Sequence, residues 1–447
     1  MSAFKAYDIR GIFGRELLTE DVFRIGFYLP ELMNAGTILV GRDCRLSSPE
    51  VCEALCEGII TAGANVHYAG LATTPMIYYL TAKYDYAASV QVTASHNSRE
   101  YNGLKISGRQ AMPVGKENGL GILEQMILRV PVPGNRRGRI TDLDCRTEYF
   151  EYLRKHMPEH ALKLTIDSSN GMAGLFIREL TGSQAKYINL EPDGNFPNHD
   201  PNPLDKKNLE QLSRETLRNG SDLGIIFDGD ADRVAFVDEL GNAVSPDLVI
   251  AVLGHVFLQD CKGKVLVDIR TSRSVADYLK PMGGNVIVWK VGRAFASPKL
   301  RQIDGIYGGE LAGHYYFRDF YYSDSGLLGM MHAINVFQQM HQAGIRVSEC
   351  ISRIATWAHS GEINFRIAGK ERAITELCRQ IRRTDATPEV MDFDGIRYDY
   401  THWWFNIRAS NTEPYLRLVV EADRRDLLEE KTNLIQNILR PFETEIP

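Results

Sequence analysis

The chain has 447 residues, enough for about three domains at ~150 residues each. Hydrophobic content of 44% and charged content of 24% fit a soluble globular protein with sizeable cores. A formal net charge of −6 argues against a nucleic-acid-binding surface, and no apolar run approaches membrane-spanning length. Met1-Ser-Ala-Phe-Lys-Ala lacks the apolar core of a signal peptide. The seven cysteines (Cys44, Cys52, Cys56, Cys145, Cys261, Cys350, Cys378) form no CxxC pair. A reduced, cytoplasmic protein is therefore expected. Cys52 and Cys56 share a helix face without further ligand-like partners, which reads as core packing.

Phe4–Gly11 opens with a strand-like piece ending in Arg10 and Gly11. Thr37–Val40 has a buried-strand pattern. Ser47-Ser-Pro-Glu50 then reads as a helix start, with a cap, a proline in the first turn and an early acid. That helix should run to about Thr61. Asn65–Tyr68 is a second short strand and Tyr86–Val92 a third. A similar order recurs twice. Lys163–Asp167 leads to helix-like Met172–Thr181, then strands Ala185–Leu190 and Ser221–Phe227. Lys264–Asp268 leads to helix Ser274–Leu279, then strands Asn285–Trp289 and Ile303–Tyr307. Strands separated by helices argue for largely parallel α/β sheets, with ligands beyond the C-terminal strand ends.

The last part differs. Glu362–Ile367, Gly395–Tyr400, Trp403–Ile407 and Tyr415–Ala422 are strands, with helices Lys370–Arg383 and Asp423–Leu439. Few helices between consecutive strands suggest a small antiparallel α+β domain. The expected units are residues 1–137, 138–241, 242–359 and 360–447.

Four loops follow these strands. The first is Thr93-Ala-Ser-His-Asn-Ser-Arg-Glu-Tyr-Asn-Gly-Leu-Lys105, whose short side chains would let Ser95 stand exposed at the end of a sheet. Lys105 is near enough to supply positive charge, and Gly103 would permit a tight turn. Adjacent residues in an extended chain point to opposite sides, so Ser95 and His96 are not expected to form a nucleophile–base couple. Alone, this stretch reads more simply as a polar loop. In the second loop, Asp228, Asp230 and Asp232 alternate, which aims three carboxylates one way. They repel strongly unless a cation sits among them, and hard oxygen ligands suit Mg²⁺ or Mn²⁺. The alternative is a solvated acidic turn, which the apolar flanks Gly224–Phe227 and Val234–Val237 weaken. An EF-hand is disfavoured, because Arg233 replaces its glycine and strands flank the loop.

The third loop, Gly308-Gly-Glu310-Leu-Ala-Gly-His314, offers an acid and an imidazole, a mixture suited to sugar hydroxyls. In isolation it would be a glycine-rich turn with a satisfied Glu. The fourth, Arg408-Ala-Ser-Asn-Thr-Glu-Pro414, puts an arginine, two hydroxyls and an amide in one place, as an oxyanion needs. It could equally be a capped turn.

Together, in this order, the four loops resemble those of the α-D-phosphohexomutase family, nearest its phosphomannomutase/phosphoglucomutase branch. Ala6–Gly11 matches that branch's opening, as does Lys290-Val-Gly292 beyond Trp289. The resemblance implies three similar α/β domains with mixed or parallel sheets, plus a C-terminal antiparallel α+β domain, around a central cleft. It implies an isomerase that interconverts hexose 1-phosphate and hexose 6-phosphate, of mannose and/or glucose, through a phosphoserine and a hexose 1,6-bisphosphate. Ser95 would carry the phosphate. His96, Lys105, Arg10 and Arg233 would complete the catalytic set, and Ser95, Asp228, Asp230 and Asp232 would hold Mg²⁺. Tyr7, Lys290, Gly292, Arg293, Glu310, Ala312, His314, Arg408, Ser410, Asn411 and Thr412 would contact substrate. Phosphosugars are the expected partners, without nucleic acid or membrane, and a monomer or weak homodimer is expected. Three positions depart from the pattern. Ser98 stands where proline is common, Ala312 where serine is usual, and Arg293 where this branch often has histidine.

Two alternatives exist. A haloacid-dehalogenase-like phosphotransferase would use Asp228 as nucleophile and Asp230 as acid, leaving no role for the Ser95 loop. A sugar-phosphate-binding regulator would keep the loops without turnover.

Overall fold

A computed structural model describes residues 3–259, 261–367, 369–384, 387–409 and 415–443. Its first three sheets share one plan. In each, the first strand of the repeat lies between the second and the third: Thr37–Arg42, Leu164–Asp167 or Gly263–Asp268. The second strand pairs with it in parallel on one side, as Asn65–Leu71, Ala185–Ile188 and Gly284–Trp289. The third pairs in parallel on the other side, as Ala88–Val92, Leu223–Phe227 and Tyr307–Gly309. A fourth strand then turns back antiparallel to the third, as Tyr101–Gly108, Val234–Asp238 and Tyr315–Phe317. The loop between third and fourth strands is thus the same structural position three times. It carries Ser95 in the first repeat, Asp228–Arg233 in the second and Glu310–His314 in the third.

Some expectations need correction. Gly103 does not sit in a turn but within the strand Tyr101–Gly108, opposite Arg10 of Ile9–Ile12. A Cβ there would lie 2.2 Å from the Ile9 carbonyl oxygen, so only glycine allows the two strands to approach. Met172–Thr181 is broken into a 3₁₀ turn at Met172–Leu175 and a short helix at Ile177–Thr181. Ile303 ends a helix, Arg293–Gln302, and the third strand of that repeat begins only at Tyr307. Ile140–Asp142 adds an edge strand to the first sheet, after the boundary read near residue 137.

The fourth sheet is antiparallel throughout. Its order is Ala358–His359, Tyr415–Ala422, Trp403–Ala409, Ile396–Asp399, Glu389–Met391, with Ile363–Arg366 also on Tyr415–Ala422. Helices Lys370–Thr384 and Arg425–Leu439 cover it.

Packing ties the first three domains together and leaves the fourth with its own core. The helix Thr74–Lys83 starts at Thr73, whose side chain accepts from Met76 N, and is buried along almost its whole length. Its Met76, Ile77, Tyr79 and Leu80 join a core that also contains Ile166, Phe227, Phe317 and Ile334 of the next two domains. Burying such side chains contributes ~1.5–3 kcal/mol each. The fourth domain instead meets the third largely through polar contacts, beside one ring contact of Trp289 with Phe393 at 5.5 Å. Arg273 donates to the Tyr400 carbonyl at 2.9 Å, Arg397 to the Ile269 carbonyl at 2.8 Å, and Glu421 accepts from Arg273 N at 2.8 Å. Separate cores joined by a polar seam are the usual arrangement where domains move relative to one another. Among the described residues, no helix is long and apolar enough to cross a membrane.

Candidate active site

The shared hairpin position brings Ser95 to the metal loop. Ser95 is 1% exposed, and its Oγ donates to Asp228 Oδ2 at 2.8 Å. Its backbone is not extended. With φ at 53° it lies in the left-handed region, and its N–H donates to Thr93 Oγ1. This breaks the alternation expected of an extended chain, and His96 turns toward the same centre as Ser95. The His96 Nδ1 lies 3.4 Å from Ser95 Oγ, long for a hydrogen bond. Burial, with Arg233, Arg10 and Lys105 nearby, holds the imidazole well below its ordinary pKa.

Asp228, Asp230 and Asp232 lie with their carboxylate oxygens within 4.8 Å of one another, all buried. Burial and the two neighbouring carboxylates push Asp228 well above the usual carboxylate range. Asp228 Oδ1 accepts from Arg233 N at 3.2 Å. Asp230 accepts from Thr74 Oγ1 and, at 2.6 Å, from Lys105 Nζ, which also reaches Asp232. Burial would lower Lys105, but Asp230 and Asp232 hold it well above its ordinary pKa as an ammonium. Lys105 arrives on the antiparallel fourth strand, and Arg10 on the edge strand beside it. Leu104 and Ile106 of that strand enter the core, so Lys105 takes the opposite face.

The donor set fits a small hard cation. Asp230 Oδ1 and Asp232 Oδ1 are buried and accept no hydrogen bond. With Asp228 and the Ser95 oxygen they make an all-oxygen group, the chemistry Mg²⁺ prefers. Positive charge surrounds the same centre. The Nε atoms of Arg10 and Arg233 are also buried without a hydrogen-bond partner, although Arg10 donates through Nη1 to Asn97 Oδ1 at 2.6 Å. Unused buried donors of this kind suit an oxyanion such as a phosphate.

A second group is built around Glu310. Glu310 is 2% exposed; its Oε1 accepts from Tyr316 at 2.7 Å and from Gly292 N at 3.1 Å. Burial raises its carboxyl. Gly292 has φ at 106°, and a Cβ there would lie 3.2 Å from Tyr7 Cζ, so the Tyr7 ring rests on the glycine. Burial, then Asp394, pushes the Tyr7 hydroxyl up to about 12. Asp394 accepts from Val291 N at 2.7 Å and faces Arg408 Nη1 at 3.9 Å. Among the described residues, Arg408 Nε is buried without a hydrogen-bond partner. Burial and the neighbouring Arg270 lower its pKa. His314 joins the two groups. Its Nδ1 is 2.7 Å from Asp324 Oδ2 and 3.7 Å from Asp232 Oδ1, and it pairs with Arg233 across a β-bridge.

Other expected contacts fall differently. Arg293 is committed to Asp324 Oδ1 at 3.1 Å and the Ala111 carbonyl at 2.6 Å, with its guanidinium 3.6 Å from the Tyr78 ring centre. That is a seam between the first and third domains. Lys290 is half-buried, with Nζ 5.0 Å from the Phe295 ring centre, and Ala312 is half-buried in its loop. Ser410, Asn411 and Thr412 lie outside the described residues.

Sequence reasoning missed Thr74, Asp324 and a repeated aspartate. Asp43, Asp167 and Asp268 each lie at or just past the end of the first strand of a repeat and accept from the backbone N–H two residues on, at 3.0, 2.7 and 2.7 Å. The signal was present as an acid after each buried strand of the threefold repeat.

Comparison with known proteins agrees with this architecture. Family models for the phosphoglucomutase/phosphomannomutase α/β/α domains I, II and III match residues 1–127, 147–241 and 245–356. The model for that family's C-terminal domain matches residues 362–433. A phosphohexose mutase of Xanthomonas campestris pv. campestris is 35% identical over 98% of this chain and 99% of its own. A phosphomannomutase of Escherichia coli K12 is also 35% identical, over 98% and 99% of the two chains. The crystal structure of a phosphoglucomutase/phosphomannomutase family protein from Burkholderia thailandensis superposes with a TM-score of 0.86, at 26% identity, covering 99% of this chain and 98% of that one. With four domains matched in order and the relatives spanned end to end, the chain belongs to the phosphoglucomutase/phosphomannomutase family.

Proposed function

We propose that the protein is an intramolecular phosphotransferase that interconverts the 1- and 6-phosphates of a hexose, mannose and/or glucose. The observation that carries this reading is the hydrogen bond from Ser95 Oγ to Asp228, within a buried set of carboxylates ringed by arginines with unused donors. The family membership also favours a serine over an aspartyl nucleophile.

Phosphorylated Ser95 donates its phosphoryl group to the free hydroxyl of a hexose phosphate. The new O–P bond forms as the Ser95 Oγ–P bond breaks, giving a hexose 1,6-bisphosphate. That intermediate turns around and returns its other phosphate to Ser95. Such transfers need positioning and charge neutralisation above all. Asp228, Asp230, Asp232 and the Ser95 oxygen would hold Mg²⁺, which when bound offsets negative charge at the serine oxygen. Arg10 and Arg233 steady the phosphoryl oxygens. Lys105, held as an ammonium, is the candidate to return a proton to Ser95. His96 turns Nδ1 toward Ser95 Oγ, and burial with the surrounding cations favours its neutral imidazole there. Glu310 and His314 take the sugar hydroxyls, while Arg408 takes the distal phosphate, with Tyr7 and Gly292 shaping the floor between.

The test is direct. Purified protein with Mg²⁺ and glucose 1,6-bisphosphate should convert glucose 1-phosphate and mannose 1-phosphate to the 6-phosphates. Intact mass should show one phosphate on Ser95 that survives mild acid. Conversion of neither sugar overturns the proposal, and a phosphate lost in mild acid moves the nucleophile to an aspartate.

A further inference from the structure

Arg45 is among the largest side chains with no exposed surface. Burying a guanidinium is costly unless its donors are used, and here they are gathered on one loop. Nη1 donates to the carbonyls of Ser98 at 2.7 Å and Tyr101 at 3.1 Å. Nη2 donates to those of Ser95 at 2.8 Å and Asn97 at 2.6 Å. Nε reaches Asp43 Oδ2 at 3.1 Å, and Asp43 is itself fixed by Arg45 N and the Ser48 hydroxyl. One cation thus collects carbonyls from residues 95 to 101.

The second domain closes over the same side chain. Gly194 pairs with Arg45 across a β-bridge, and a Cβ there would lie 2.3 Å from the Cys44 carbonyl oxygen. The Phe196 ring centre is 5.0 Å from the guanidinium. Ser95 and Phe196 both have left-handed backbones, at φ 53° and 47°. Such conformations cost energy and persist only where the surroundings over-determine them.

We propose that Arg45 is a positioning residue for phosphoryl transfer at Ser95. By drawing four carbonyls to one side of the loop, it fixes the turn that presents Ser95 Oγ to Asp228. Phe196 and Gly194 make that fixation depend on the docked second domain, so the nucleophile is set only when the metal loop is in place. The inference rests on Ser95 being the phosphate carrier. Lysine cannot replace this arginine, because one ammonium with three donors cannot span four carbonyls and a carboxylate.

The experiment is a single turnover. Wild type, Arg45→Lys and Phe196→Leu are phosphorylated with glucose 1,6-bisphosphate and then mixed with saturating mannose 1-phosphate. Loss of serine phosphate is followed by intact mass in rapid quench. A fold that is merely destabilised lowers the amplitude, whereas a mispositioned serine lowers the rate constant. Arg45→Lys should lower the rate constant about tenfold to a hundredfold. Phe196→Leu, which keeps an apolar cover, should lower it by a smaller factor and stand in if Arg45→Lys does not fold. Rate constants within twofold of wild type, in Arg45→Lys or, if that fails to fold, in Phe196→Leu, overturn the positioning role. A wild-type protein without serine phosphate instead overturns the reading of Ser95 itself.

Discussion

Lys105 Nζ lies 2.6 Å from Asp230 Oδ2, an ion pair that joins the antiparallel strand of the first domain to the acidic loop of the second. The same ammonium also reaches Asp232, and neither carboxylate is appreciably exposed. Removing it strands two buried charges, which costs about 3–5 kcal/mol. Lys105→Met should therefore lower the unfolding midpoint by several degrees. Mg²⁺ should recover more of that loss than it adds to wild type, because it would replace the missing positive charge. Calorimetry with and without Mg²⁺ checks this. Equal Mg²⁺ effects on the two proteins would place the cation elsewhere.

Ser95→Ala removes one hydroxyl from a buried loop whose backbone is held by other contacts. Turnover should fall below detection while the unfolding midpoint moves little. Near-normal conversion of glucose 1-phosphate by this variant would remove Ser95 from the chemistry.

The first three loops were legible in the sequence because each carries unusual side chains where a strand should stop. The threefold strand order was legible for the same reason. What joins the loops was not. Ser95 and Asp228 are 133 residues apart, and only the equivalence of their two hairpins brings them to 2.8 Å. The left-handed Ser95 backbone defeated the two-residue alternation used for Ser95 and His96. Gly103 was misread because a glycine in a turn and a glycine under a crossing strand look alike in sequence. Arg293 opens the helix Arg293–Gln302, and its pairing with Asp324, 31 residues on, could not be read from the sequence.

His199 gives a pH-dependent test of the second domain. Burial would lower its pKa, but the Asp167 carboxylate at 3.0 Å raises it above the ordinary histidine value. A histidine raised in the folded state stabilises fully below the unfolded value, and that contribution is lost as pH rises through the folded one. Wild type should therefore exceed His199→Gln in unfolding midpoint by more at pH 5.5 than at pH 9 (roughly a unit or more to either side of an ordinary histidine). A difference that grows with pH would contradict the pairing.

Arg408 is where the distal phosphate should be read. It ends a strand of the fourth domain, whose core is separate and whose seam to the third domain is polar. Such a domain can close over a ligand and exclude water, which protects a serine phosphate from hydrolysis. Burial and Arg270 both press on the Arg408 charge, Asp394 offsets it only at 3.9 Å, and Nε has no hydrogen-bond partner among the described residues. An incoming phosphate would supply what is missing. The bisphosphate must turn around, so the same arginine must accept phosphate from either O1 or O6. It should therefore be indifferent to the sugar. A hydrogen bond to a charged group is worth ~1.5–3 kcal/mol, or roughly ten- to a hundredfold in rate. Arg408→Ala should lower kcat/KM by at least that factor for glucose and mannose phosphates alike, with little change in unfolding midpoint. Arg408→Lys should recover only part, since a point charge cannot form the two parallel bonds of a guanidinium. Glu310→Gln, which alters an acceptor for hydroxyls, should instead change the ratio between the two sugars. If Arg408→Ala left kcat/KM within a factor of two for both substrates, the phosphate clamp would have to be sought elsewhere in the cleft.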